Sequence, residues 1–88
     1  MERQKLWDAM IGMMAYDTGS VDSGIKNELY REQVKKYLKG LSQDEFRVEI
    51  SCFVARHFLT DEALNLGYGI EDVKAFINWM DEYMGIYI

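Results

Sequence analysis

The sequence predicts an all-α fold, a compact single-domain bundle of about five helices with short loops, and three observations predict it. Proline is absent from all 88 residues, so the strongest interruption of a helix is missing. Leu, Met, Ala, Glu and Lys, all good helix formers, are abundant. Apolar residues recur at three- and four-residue intervals, the period of a helix that buries one face. Hydrophobic residues reach 49% and aromatics 14%, more than a disordered chain carries, so a packed core is expected. Residues 1–88 suffice for one domain with a single modest core and are too few to enclose a deep substrate cleft.

The first helix is predicted over residues 2–16, where Leu6, Trp7, Met10, Ile11, Met13 and Met14 form one wide stripe. Three methionines in five residues suit an adaptable partner-binding face or a core with irregular gaps, and the core reading is preferred. The segment DTGSVDSG, Asp17 to Gly24, is dense in turn formers and ends this helix. Asp17 and Glu28 stand at the first and twelfth positions of an EF-hand-length loop. Gly19 and Val21, however, occupy places that need oxygen ligands, and Asp22 replaces the turn glycine, so no calcium site is predicted. A second helix follows over residues 25–39, with Tyr30, Val34, Tyr37 and Leu38 inward and Gly40 as its stop. Arg31, Lys35 and Lys39 lie on its opposite face. Glu28 precedes Arg31 by three residues and Glu32 precedes Lys36 by four, which predicts a self-paired, solvated stripe rather than a phosphate-binding one.

The third helix has the clearest start, a capping box formed by Ser42 and Glu45. Phe46, Ile50, Phe53, Val54, His57 and Phe58 then share one face, so this helix is expected at the centre, with the first, second and last helices packed around it. His57 and Cys52 are the only histidine and cysteine. Cys52 points elsewhere, and Asp61 lies beyond the helix break at Thr60. A nucleophile with its base, or a metal site, needs two or more convergent groups, so no catalytic, metal or cofactor-binding residue is predicted. Cys52 is expected as a small buried apolar group and His57 as a buried or boundary histidine satisfied by a neighbour. The phrase MIGMMAYDTGS resembles the opening of some HD phosphohydrolases, but the His-Asp doublet is missing, so the resemblance implies no activity.

The stretch Thr60 to Met84, TDEALNLGYGIEDVKAFINWMDEYM, reads as a short helix, a glycine turn and a longer helix. Thr60 caps the short helix, and Gly67 and Gly69 bracket Tyr68 at a tight reversal. The last helix, residues 70–84, turns Ile70, Val73, Phe76, Ile77, Met80 and Met84 inward, and Gly85 stops it before the apolar tail Ile86, Tyr87 and Ile88. The spacing of Ala63, Gly67 and Val73, with Leu66, Tyr68 and Phe76 as core fillers, resembles a DNA-binding helix-turn-helix unit over about a quarter of the chain. That resemblance implies a last helix lying in the major groove. Its exposed face offers Glu71, Asn78 and Glu82, with Asp72 and Asp81 alongside, which phosphates repel. On the flank between the apolar stripe and this acidic face fall Asp72, Trp79 and Tyr83, a set that resembles a protein-binding hot spot or else widens the core.

Charge separates the chain into two parts. Residues 1–58 hold nine basic and nine acidic side chains, whereas residues 59–88 hold six carboxylates against Lys74 alone, so the whole net charge of −5 sits in the last third. The apolar run near the N-terminus is short and broken by Asp8, which excludes a signal peptide or membrane span from the reading, and a lone cysteine fits the cytoplasm. The expected function is therefore a small cytoplasmic interaction protein, an adaptor, regulatory subunit or inhibitor. It is expected to bind a basic protein surface through Glu71, Asp72, Asn78, Trp79, Glu82 and Tyr83, in competition with nucleic acid in one version. The alternative is a dimeric helix-turn-helix regulator. The methionine stripe and the apolar tail also leave room for a homodimer.

Overall fold

A computed structural model describes residues 2–19 and 25–88, and among them five helices and no strand are found. They are α1 (Arg3–Asp17), α2 (Glu28–Gly40), α3 (Gln43–Phe58), α4 (Asp61–Asn65) and α5 (Ile70–Met84). The all-α single-domain bundle expected from the sequence is the fold observed. Of the turn-rich segment after α1, Ser20 to Gly24 lie outside the described residues.

Local chemistry sets most helix ends. Ser42 Oγ accepts from Glu45 N at 3.2 Å and Glu45 Oε1 accepts from Ser42 N at 3.1 Å, so the predicted capping box forms. These two bonds hold the Glu45 carboxyl below its ordinary pKa. Thr60 Oγ1 accepts from Ala63 N at 3.1 Å to start α4. The second helix begins three residues later than expected, at Glu28 instead of residue 25. Asn27 Oδ1 accepts from Tyr30 N at 3.1 Å and makes Asn27 the cap, while Ile25 is drawn away to pack on α1 and donates its N–H to Gly12 O at 3.1 Å. Gly40 is the last residue of α2 rather than a left-handed stop. At the reversal before α5 only Gly67 uses the left-handed region, with φ +97°, while Gly69 is extended.

The core is built from one face of each long helix. Leu6, Met10 and Met13 of α1, Val34 and Leu38 of α2, Phe53 and Phe58 of α3, and Phe76, Trp79, Met80 and Met84 of α5 are all buried. The methionines of α1 thus act chiefly as core filler. Phe53 and Phe76 meet at 4.9 Å between ring centres, with Phe58 and Trp79 each 6.0 Å from Phe76. The closest packing joins α1 to α2 and α5, and α3 to α4 and α5. The expectation of a central α3 ringed by the others is corrected: α5 buries four large side chains and bridges α1 and α3, so it is the shared wall.

Two carboxylates tie these helices together. Asp17 Oδ2, at the end of α1, accepts from Arg31 on α2 at 2.6 Å and from Trp79 Nε1 on α5 at 2.7 Å. Arg31 also donates to Ile25 O at 3.2 Å. Only 7% of the Asp17 side chain and 11% of the Arg31 side chain are exposed, so this is a partly buried, hydrogen-bonded ion pair. On the other side of α1, Glu49 of α3 accepts from Trp7 Nε1 at 2.8 Å and pairs with Arg3 at 3.3 Å. Both tryptophan N–H groups are thereby satisfied.

Removing one partner of a buried pair leaves the other uncompensated, so Asp17→Ala is expected to cost about 3–5 kcal/mol, read as a fall in the urea midpoint. Asp17→Asn, which keeps an acceptor for Trp79, is expected to cost less. A loss in Asp17→Ala no larger than that of an exposed carboxylate such as Asp8 would remove the node from this role.

Candidate protein-binding site

Helical geometry sorts the last helix into two faces. At 3.6 residues per turn, Glu71, Ala75, Asn78 and Glu82 fall on one stripe of α5, and all four are exposed. Asp81 lies beside them. Lys74, the sole basic residue after position 58, is committed at 3.4 Å to Glu71 in an exposed pair that contributes little.

The six residues expected to contact a partner do not all stand together on this surface. Glu71, Asn78, Glu82 and Tyr83 are exposed. Asp72 is half-buried, and its Oδ2 accepts from Gly69 N at 2.8 Å, closing the first turn of α5. Trp79 leaves the set: it is 2% exposed, packed on Phe76 and bonded to Asp17, so it offers a partner no surface. Its flank faces α1, which periodicity along one helix cannot reveal.

Surface apolar groups lie where the sequence placed core. Leu66, expected as a core filler, is 81% exposed, and Ile70, expected on the inward face, is 65% exposed. The reason is the length of α4. With only five residues it docks through Ala63 alone, and the turn that follows points Leu66 and Ile70 outward. Leu64, at 50%, and Ile77, at 38%, are exposed as well.

Between this surface and α1 lies a cleft of about 390 Å³ lined by Ile11, Met14, Ala15 and Thr18 of the α1 side, His57 and Phe58 of α3, Tyr68 of the turn, and Asp72 and Ala75 of α5. Sequence reading did not foresee it, because its walls come from segments far apart along the chain. His57 stacks on Phe53 at 5.4 Å with an interplanar angle of 19° and meets Phe58 and Tyr68 at 4.6 and 5.6 Å. Burial lowers its pKa below the ordinary 6.5, so the imidazole is neutral at neutral pH. It is half-buried and held by ring contacts, the boundary position expected for it. Cys52 is also half-buried, not the fully enclosed group expected.

The features that suggested other ligands are used internally. Asp17, first residue of the calcium-like loop, is occupied by Arg31 and Trp79, while Val21 and Asp22 lie outside the described residues. Arg31 pairs with Asp17 instead of Glu28, and Glu32 pairs at 3.2 Å with Lys35 instead of Lys36, so the stripe is only partly self-paired: Lys36 and Lys39 are exposed without an ion pair among the described residues. Among the described residues no group of three or more metal-ligating side chains converges, and no helix is long and apolar enough to cross a membrane. No family model, curated protein or solved structure matches this chain.

The lowered pKa of His57 fixes the sign of one pH effect. The unfolded chain binds the His57 proton more readily than the folded one, so this contribution is full above about pH 6.5 and is lost as pH falls through the folded pKa. His57→Gln is expected to flatten the fall in urea midpoint between about pH 7.5 and 5.5. Equal slopes in the two proteins would contradict the assignment.

Proposed function

We propose that this chain is a small cytoplasmic interaction module, an adaptor, regulatory subunit or inhibitor, that binds a basic protein surface through its acidic C-terminal third. The observation that carries this reading is the stripe of Glu71, Asn78 and Glu82, exposed and flanked along the helix by the exposed Ile70 and Tyr83. Carboxylates of one sign steer a basic partner and suppress acidic ones, while adjacent apolar groups supply the area that holds it. Asp61, Glu62 and Asp81 extend the same field. A partner whose basic surface otherwise holds nucleic acid is one version, since the stripe would compete for the same cations.

The helix-turn-helix alternative draws support from the left-handed Gly67 and the buried Ala63 and Phe76. Against it stand the acidic α5 face and an α2 stripe whose Arg31 and Lys35 are already paired.

The double variant Glu71→Lys, Glu82→Lys reverses two exposed charges and spares the α5 cap. It is expected to weaken capture of the partner from its native host about tenfold, with helical content unchanged by circular dichroism. Undiminished capture would sink the acidic-surface reading. A salt-sensitive shift of duplex DNA would favour the alternative.

A further inference from the structure

The geometry points to an arginine side chain of the basic partner as the occupant of the cleft between α1, the end of α3 and the start of α5. This step rests on the acidic-surface reading above. The protein's own construction carries the argument. Twice, a carboxylate beside an aromatic ring is completed by an arginine. Glu49 holds Trp7 Nε1 and Arg3, whose guanidinium lies 5.7 Å from the Trp7 ring centre, and Asp17 holds Trp79 Nε1 and Arg31.

Asp72, Tyr68 and His57 line the cleft together without a hydrogen bond between Asp72 and either ring, and no cation of the described residues pairs with Asp72. Asp72 uses Oδ2 to accept from Gly69 N. Lys74, two residues away, is turned to Glu71. Residues 20–24 contain no lysine or arginine.

Each part of an arginine has a counterpart here. Ile11, Met14 and Ala75 offer the methylene stem an apolar wall, Tyr68 and His57 offer the guanidinium plane an aromatic one, and Asp72 offers charge. His57, neutral because it is desolvated, does not repel the incoming charge. Lysine reaches the carboxylate but has no planar face to stack. Ala75 belongs both to the cleft and to the stripe of Glu71, Asn78 and Glu82, so basic residues flanking the arginine meet that stripe in register.

The test uses two peptides of equal charge, a five-residue lysine peptide and the same peptide with arginine at its centre, titrated into isotopically labelled protein. The arginine peptide is expected to bind about three to ten times more tightly and to shift the amide signals of Tyr68, Asp72 and Ala75. Asp72→Asn, which keeps an acceptor for the Gly69 N–H, is expected to abolish that preference. Ala75→Leu, at an exposed helical position, fills the cleft and is expected to do the same. The Glu71→Lys, Glu82→Lys variant weakens both peptides and preserves their ratio. Equal affinity of the unaltered protein for the two peptides, or shifts confined to Glu71, Asn78 and Glu82, overturns the arginine cleft and leaves the acidic surface standing. Binding of neither peptide overturns both.

Discussion

One oxygen of Asp17 holds the bundle in register. It receives Arg31 from α2 and Trp79 from α5 at 2.6 and 2.7 Å, so three helices distant in sequence meet at a single carboxylate. Hydrophobic burial supplies most of the driving force for such a bundle, but it is non-directional and tolerates several rotations of a helix about its axis. A charged hydrogen bond fixes one of them. The indole N–H of Trp79 has to find an acceptor when it is buried, and Asp17 meets that need only if α5 turns its Trp79 flank toward α1.

That rotation decides what α5 can do. With Phe76, Trp79, Met80 and Met84 inward, the stripe of Glu71, Asn78 and Glu82 is left facing water. The second node, Glu49 with Trp7 and Arg3, fixes α1 on α3 in the same manner. Between the two nodes the α1 surface of Ile11, Met14 and Ala15 remains partly uncovered and becomes the floor of the cleft. The carboxylates satisfied between helices thus orient the helix whose Asp81 and Glu82 face water.

The glycines contribute at the points where the chain reverses. Gly67, with φ +97°, ends α4 after five residues, and that brevity turns Leu66 and Ile70 toward solvent. Gly85, with φ +67°, ends α5 and lets Ile86 fold back into the core while Tyr87 stays outside.

The sequence by itself determined the helices, because their signals are local. The Ser42 and Glu45 capping box and the Thr60 cap act within a turn and appear at their expected places, and the periodic apolar faces turn inward except at Ile70 and Ile77 of α5, which are exposed. It also determined that the excess acid lies after residue 58, since charge count needs no geometry. Tertiary structure decided which flank of α5 is covered. Trp79 and Tyr83 share that flank in sequence, yet Trp79 is buried and bonded to Asp17 while Tyr83 is exposed. The pairing of Arg31 with Asp17 rather than Glu28, the outward turn of Ile70 and the cleft at Asp72 have the same origin. Each depends on where a second helix stands, and no spacing along one helix encodes that distance.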